Sequence, residues 1–111
     1  MDQRIKTINA HELKNKIDSE QHLYLIDVRE LPEWQEMHIK GALHIPKDEI
    51  SAKIAEHVMN KEEPIYLHCR SGVRSLYAAQ ALLDLGYSDV YSVDGGIVEW
   101  AMFGYPIESC A

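Results

Sequence analysis

The chain has 111 residues, of which 46% are hydrophobic and 26% charged, and a net charge of −7. That length suffices for one domain spanning 1–111 with its own core. The acidic balance argues against a nucleic-acid or anionic-membrane partner, and no apolar run approaches the ~20 residues that cross a bilayer. The start, Met1-Asp2-Gln3-Arg4-Ile5-Lys6, lacks the apolar stretch of a secretory signal, so with Met1 as the true start a cytoplasmic location is expected.

In chain order, Lys6–Ile8 is a short extended run. Thr7 or Asn9 can cap a helix from about Ala10 to Asp18, whose Leu13 and Ile17 share one face. The nearly continuous apolar run Leu23-Tyr24-Leu25-Ile26-Asp27-Val28 predicts a strand buried on both faces, as in a parallel sheet. Asp27 and Arg29 fall at its carboxyl end, where open α/β sheets collect ligands. A short helix starts at Leu31-Pro32-Glu33-Trp34, with proline tolerated in its first turn. Gly41–Pro46 reads as another short strand stopped by proline. Asp48 or Ser51 then starts a helix carrying Ile50, Ile54 and Val58 on one face.

After Pro64 comes Ile65-Tyr66-Leu67-His68-Cys69-Arg70-Ser71-Gly72-Val73-Arg74-Ser75. A short apolar run ends at a cysteine, and a polar turn feeds an amphipathic helix from Val73 to about Leu85, closed by Gly86. A turn entering a helix directs several N–H groups at one point and adds the partial positive charge of the helix dipole. A thiol placed there favours its thiolate. The bland alternative is that Cys69 is a small buried hydrophobe. Arg70, Ser71, Gly72, Arg74 and Ser75 around it weigh against that, because a structural cysteine needs no such setting. Asp89–Val93 is a last strand, and Asp94-Gly95-Gly96 turns into a short helix with Ile97 and Trp100. Tyr105-Pro106-Ile107 can add an extended piece near an edge. Strands alternating with helices, joined by connections too long for hairpins, predict an α/β fold with a mainly parallel sheet and helices on both faces.

The two cysteines, Cys69 and Cys110, make neither a disulfide framework nor a CxxC motif. Cys110 is expected on a frayed end, with a resolving thiol for Cys69 as the sharper alternative. The six histidines show no metal-ligand spacing, so no metal and no cofactor are expected. His68 is expected to be satisfied by packing, and Trp34 and Trp100 to be core or site-rim residues.

Three blocks resemble the rhodanese-like sulfurtransferases in their small single-domain form. They are Leu25-Ile26-Asp27-Val28-Arg29 with Glu33-Trp34, His38-Ile39, Gly41-Ala42 and His44-Ile45-Pro46; Cys69-Arg70-Ser71-Gly72-Val73-Arg74-Ser75; and Asp94-Gly95-Gly96-Ile97 with Trp100. Met37 stands where the family usually has glycine, and Lys40 where proline is common. The resemblance implies a three-layer fold around a five-stranded, mainly parallel sheet. It implies a Cys69 thiolate that takes a sulfane sulfur from thiosulfate or a persulfide and passes it to a thiol or cyanide. N–H groups from Arg70, Ser71, Gly72, Val73, Arg74 and Ser75 would cradle the terminal sulfur. Arg70 and Arg74 would favour the thiolate and attract an anionic donor. Asp27 and Arg29 would support the loop or form a structural ion pair. The expected partners are a small sulfur anion, a thiophilic acceptor and, as a variant, a sulfur-relay protein, with the chain itself monomeric. A cysteine phosphatase or arsenate reductase is the nearest rival, but those enzymes separate cysteine and arginine by five residues. Here four intervene between Cys69 and Arg74, which makes a smaller cradle. A non-catalytic binding module is the rival of another class.

Overall fold

A computed structural model describes residues 2–20 and 22–109. The chain runs β1 (Lys6–Ile8), α1 (Ala10–Ser19), β2 (Tyr24–Asp27), α2 (Leu31–Glu36), β3 (His38–Ile39), β4 (Leu43–His44), α3 (Ile50–Lys53), β5 (Ile65–His68), α4 (Val73–Asp84), β6 (Val90–Val93), α5 (Gly96–Met102) and β7 (Ile107–Glu108). Five strands form one parallel sheet in the order β1-β6-β5-β2-β4, so the expected α/β architecture holds. The strands nearest the middle are the most apolar: Ile65 to His68 are buried throughout, as a strand covered on both faces requires. No helix among the described residues is long and apolar enough to cross a membrane.

The two faces of the sheet carry separate cores. On one, α4 lays Ala78, Ala79, Leu82 and Leu83 against Ile65, Leu67 and Val90, with Ile50, Ile54 and Val58 beside them. On the other, Leu13 of α1 and Ile97 and Trp100 of α5 pack with Leu25, Tyr66 and Val93. Alternate residues of one strand therefore serve opposite layers. Cys69 follows directly on the carboxyl end of β5, where the chain turns into α4 and meets the start of α5.

Three expectations shift in detail. The segment 41–46 is a strand only at Leu43–His44, and its backbone bonds to the β2 side run on past Pro46, from the Ile45 N–H to the Asp27 carbonyl and from the Lys47 N–H to the Val28 carbonyl. The helix expected from Asp48 or Ser51 is broken into a 3-10 turn at Lys47–Glu49, one α-turn at Ile50–Lys53 and a second 3-10 turn at Ile54–Glu56. Its apolar residues Ile50, Ile54 and Val58 are nevertheless all buried, so packing rather than helix propensity holds the segment. The C-terminal piece does pair, at Ile107–Glu108, but with β3 in a separate antiparallel ribbon. Met37 lies extended at φ −162° and ψ 150°, a conformation open to any residue, so the absence of glycine there strains nothing. Cys110 lies outside the described residues.

Asn9, not Thr7, caps α1. Its side chain accepts from the Glu12 N–H at 2.8 Å while Glu12 accepts from the Asn9 N–H at 3.1 Å. Asn9→Ala removes this reciprocal cap and should lower stability by about 1 kcal/mol in urea unfolding, with no change in the m-value.

Candidate active site

The turn between β5 and α4 is wrapped around one sulfur atom. Gly72 adopts φ +105°, a left-handed conformation that lets the chain reverse directly into α4. Its N–H donates to Cys69 Sγ at 3.2 Å. The shape is enforced from outside the loop as well. The first turn of α5 presents Ile97 N–H to the Cys69 carbonyl at 2.9 Å and Val98 N–H to the Arg70 carbonyl at 3.1 Å. In a trans peptide the carbonyl and the next N–H point in opposite directions. Drawing the Cys69 and Arg70 carbonyls toward α5 therefore turns the Arg70 and Ser71 N–H groups the other way, into the loop.

Gly96 makes that approach possible. A Cβ at this position would lie 2.5 Å from the Arg70 carbonyl oxygen and closer still to that of Cys69. The Asp94-Gly95-Gly96 turn thus lets α5 clasp the cysteine loop backbone to backbone.

Cys69 is 1% exposed and belongs to the α4-side core, so the bland reading of a buried residue is correct as to burial. Its environment is nonetheless polar. Burial pushes the thiol pKa up, but the backbone N–H groups of Ser75, Gly72 and Ser71 and the Ser75 hydroxyl outweigh it, and the net direction is down. Beneath the sulfur, Ser75 Oγ lies 3.7 Å from Sγ and 2.7 Å from the hydroxyl of Ser92 on β6, and it donates to the Gly72 carbonyl at 3.1 Å.

The two loop arginines separate. Arg74 is held in a two-pronged ion pair with Glu33 of α2, at 2.7 and 2.8 Å. That pair, together with the Glu30 N–H, holds the Glu33 carboxyl down at about 2. Arg70 is exposed and forms no ion pair among the described residues. It lines an open cleft of about 250 Å³ with Arg29, Glu33, Glu36, Met37, Ile97 and Val98. Cys69 does not line this cleft.

Asp27 and Arg29 form a buried ion pair on the neighbouring strand, 0% and 4% exposed, closed at 2.7 Å. Arg29 also donates to the Met37 carbonyl at 2.6 Å and so ties α2 to the strand end. Burial alone would raise the Asp27 pKa, but the Arg29 bonds hold it down. His68 is fully buried beside this pair, and burial keeps its imidazole pKa low. Its Nε2, 3.6 Å from Asp27 Oδ2, makes no hydrogen bond, so packing alone does not satisfy this residue. Trp34 is half-buried and stacks on both His38 and His44, with ring centroids 3.7 and 5.1 Å away. Trp100 is core, its indole N–H donating to the Pro106 carbonyl. Among the described residues no group of histidine, cysteine and carboxylate side chains is placed to hold a metal ion.

Cys69 and Ser75 come together as the sequence led one to expect, whereas Glu33, Gly96 and Ser92 had no expected role at the site. A serine inside Val90-Tyr91-Ser92-Val93 was the available signal for the last: a polar residue in a buried strand must find a partner.

The rhodanese-like domain family matches residues 9–103, and the chain belongs to that family. A protein of Mycobacterium tuberculosis named "Probable adenylyltransferase/sulfurtransferase MoeZ" is 41% identical over 95 residues, 86% of this chain, yet the match spans only 24% of that protein. "Thiosulfate sulfurtransferase GlpE" of Coxiella burnetii is 34% identical over 102 residues, covering 90% of this chain and 88% of its own. The crystal structure of a rhodanese-like domain protein from Staphylococcus aureus superposes with a TM-score of 0.77 at 33% identity, covering 86% of this chain and 91% of that one.

Gly96→Ala should cost about 1–3 kcal/mol through forced overpacking and raise the pH midpoint of Cys69 ionisation, read by thiolate ultraviolet absorbance. Glu33 has a depressed pKa in the fold, so its pair with Arg74 contributes fully above 4.5 and is lost as pH falls toward about 2. Urea unfolding across that range should show wild type losing stability more steeply than Glu33→Gln.

Proposed function

We propose that the protein is a sulfurtransferase in which Cys69 carries a sulfane sulfur as a persulfide. The observation that supports this most is the set of backbone N–H groups aimed at Cys69 Sγ from a loop held rigid by α5. Fixed donors around a thiol favour its anion and equally favour a terminal persulfide anion one bond further out.

The reaction has two halves. The Cys69 thiolate attacks the outer sulfur of a donor such as thiosulfate; a sulfur–sulfur bond forms to Cys69, the donor's own sulfur–sulfur bond breaks, and sulfite leaves with the electron pair. A thiolate or cyanide then attacks the outer sulfur of the Cys69 persulfide. That bond breaks, and its electron pair returns to Cys69 as thiolate. Ping-pong kinetics are expected. Arg70, Ser71, Gly72, Val73, Arg74 and Ser75 form the substrate-binding loop. Within it Arg70 is the cation free to attract an anionic donor, whereas Arg74 commits its fork to Glu33 and braces α4 against α2. Asp27 and Arg29 support the loop from β2 through a buried pair that is costly to break. No cofactor enters the scheme. The names of the relatives support sulfur transfer as the class of activity; thiosulfate as donor, a thiol as acceptor, a relay partner and a cytoplasmic setting are parts of the proposal.

Arg74 also speaks against phosphate chemistry. A phosphatase loop needs its arginine turned to the oxyanion, and here both of its prongs are engaged by Glu33.

Incubation with thiosulfate should add the mass of one sulfur to the protein, located on Cys69 and released by cyanide. Cys69→Ser should abolish the adduct with the fold intact, and Cys110→Ser should leave it unchanged. Hydrolysis of an aryl phosphate that depends on Cys69, without any persulfide, would replace this reading with the phosphatase one. Asp27→Asn leaves the Arg29 guanidinium buried without its counter-charge and should cost about 3–5 kcal/mol in urea unfolding.

A further inference from the structure

We infer that Ser92, on the strand beneath the loop, is a positioning residue that acts on Cys69 through Ser75: it donates its hydroxyl proton to Ser75 Oγ and thereby leaves the Ser75 proton free for the sulfur. The inference rests on the proposed role of Cys69 as the sulfur carrier.

Proton counting carries it. Ser75 and Ser92 are 0% and 1% exposed, so each hydroxyl must find its partners inside the protein. Among the described residues Ser92 Oγ has one partner, Ser75 Oγ at 2.7 Å. Ser75 Oγ has three neighbours: Ser92, the Gly72 carbonyl at 3.1 Å and Cys69 Sγ at 3.7 Å. A hydroxyl offers one proton and two lone pairs. Were Ser75 to donate to Ser92, the Ser92 proton would be buried without an acceptor. The satisfied arrangement has Ser92 donating to Ser75, with the Ser75 proton shared between the Gly72 carbonyl and the sulfur.

While Cys69 is a thiol, its S–H donates to Ser75 Oγ, and Ser75 donates to Gly72. When Cys69 ionises, the Ser75 proton turns from Gly72 to the sulfur. A hydroxyl that is itself accepting a hydrogen bond is the better donor, so the chain from Ser92 to Ser75 to sulfur strengthens at its last link. The fold supplies the alignment. Ser92 lies opposite Leu67 on β5 and two residues along from buried Val90, so it shares with Val90 the face covered by α4. The charged and titratable groups around Cys69 are Arg74 on α4, paired with Glu33 of α2, Arg70 in the loop, and Asp27, Arg29 and His68 at the ends of β2 and β5. Among the described residues none of them hydrogen-bonds to Ser92.

The test compares Ser92→Thr with Ser92→Val, which share a shape and differ in the donor, in a Cys110→Ser background. Cys69 ionisation is followed by thiolate ultraviolet absorbance against pH. Ser92→Val should titrate about half a pH unit above Ser92→Thr. Ser75→Ala should raise the midpoint further, by about one unit or more, and in that background the Thr–Val difference should vanish. Equal midpoints for the two variants, or a difference that persists with Ser75→Ala, would overturn the inference. An ordinary thiol midpoint in the Cys110→Ser parent would instead overturn the acidic thiol of the proposed function, and with it the ground for this one. Should Val fail to fold, Ser92→Ala serves as the donor-free variant, with the same two outcomes.

Discussion

The contact between the loop carbonyls of Cys69 and Arg70 and the first N–H groups of α5 is the constraint on which the site depends. Peptide planarity converts this outward pull on two carbonyls into an inward direction for the N–H groups on the other side. The sulfur then sits among donors that were fixed when the protein folded. A thiol buried to 1% exposure in an apolar core would ordinarily be a poor acid. Here the same burial that penalises the anion also keeps water from competing for its donors, and the donors prevail.

Two ion pairs brace the elements around that point. A buried Asp27–Arg29 pair locks the end of β2 and, through the Met37 carbonyl, the end of α2. Glu33 and Arg74 join α2 to α4. Each pair is internally neutral, so these braces add rigidity without adding net field. Arg70 faces the cleft without an ion-pair partner among the described residues, and Glu36 lines the same cleft.

Much of this was legible in the sequence because the governing signals are local. The apolar run Ile65–His68, the glycine at position 72 and the amphipathic helix after it specify strand, reversal and helix in one short stretch, and they place Cys69 at the junction. The alternation of buried strands with helices specified the parallel sheet. What the sequence hid was long-range. Arg74 and Glu33 are 41 positions apart, and Ser75 and Ser92 are 17 apart. Nothing in either residue's neighbourhood announces its partner, so the Glu33 pair that holds Arg74 was not legible in the sequence. The helix expected from Asp48 or Ser51 failed for a different reason. Its apolar spacing is right, but the segment is too short and too tightly docked to keep α-helical hydrogen bonding throughout. His68 shows the long-range limit again, since its unbonded Nε2 faces the Asp27 side chain on the adjacent strand.

The most direct test is a crystal structure of the protein after thiosulfate treatment. It should show one extra atom bonded to Cys69 Sγ, within hydrogen-bonding distance of the N–H groups of residues 71–75, with Arg74 still on Glu33. An unmodified Cys69, or an added sulfur directed away from those N–H groups, would contradict the cradle and the persulfide together.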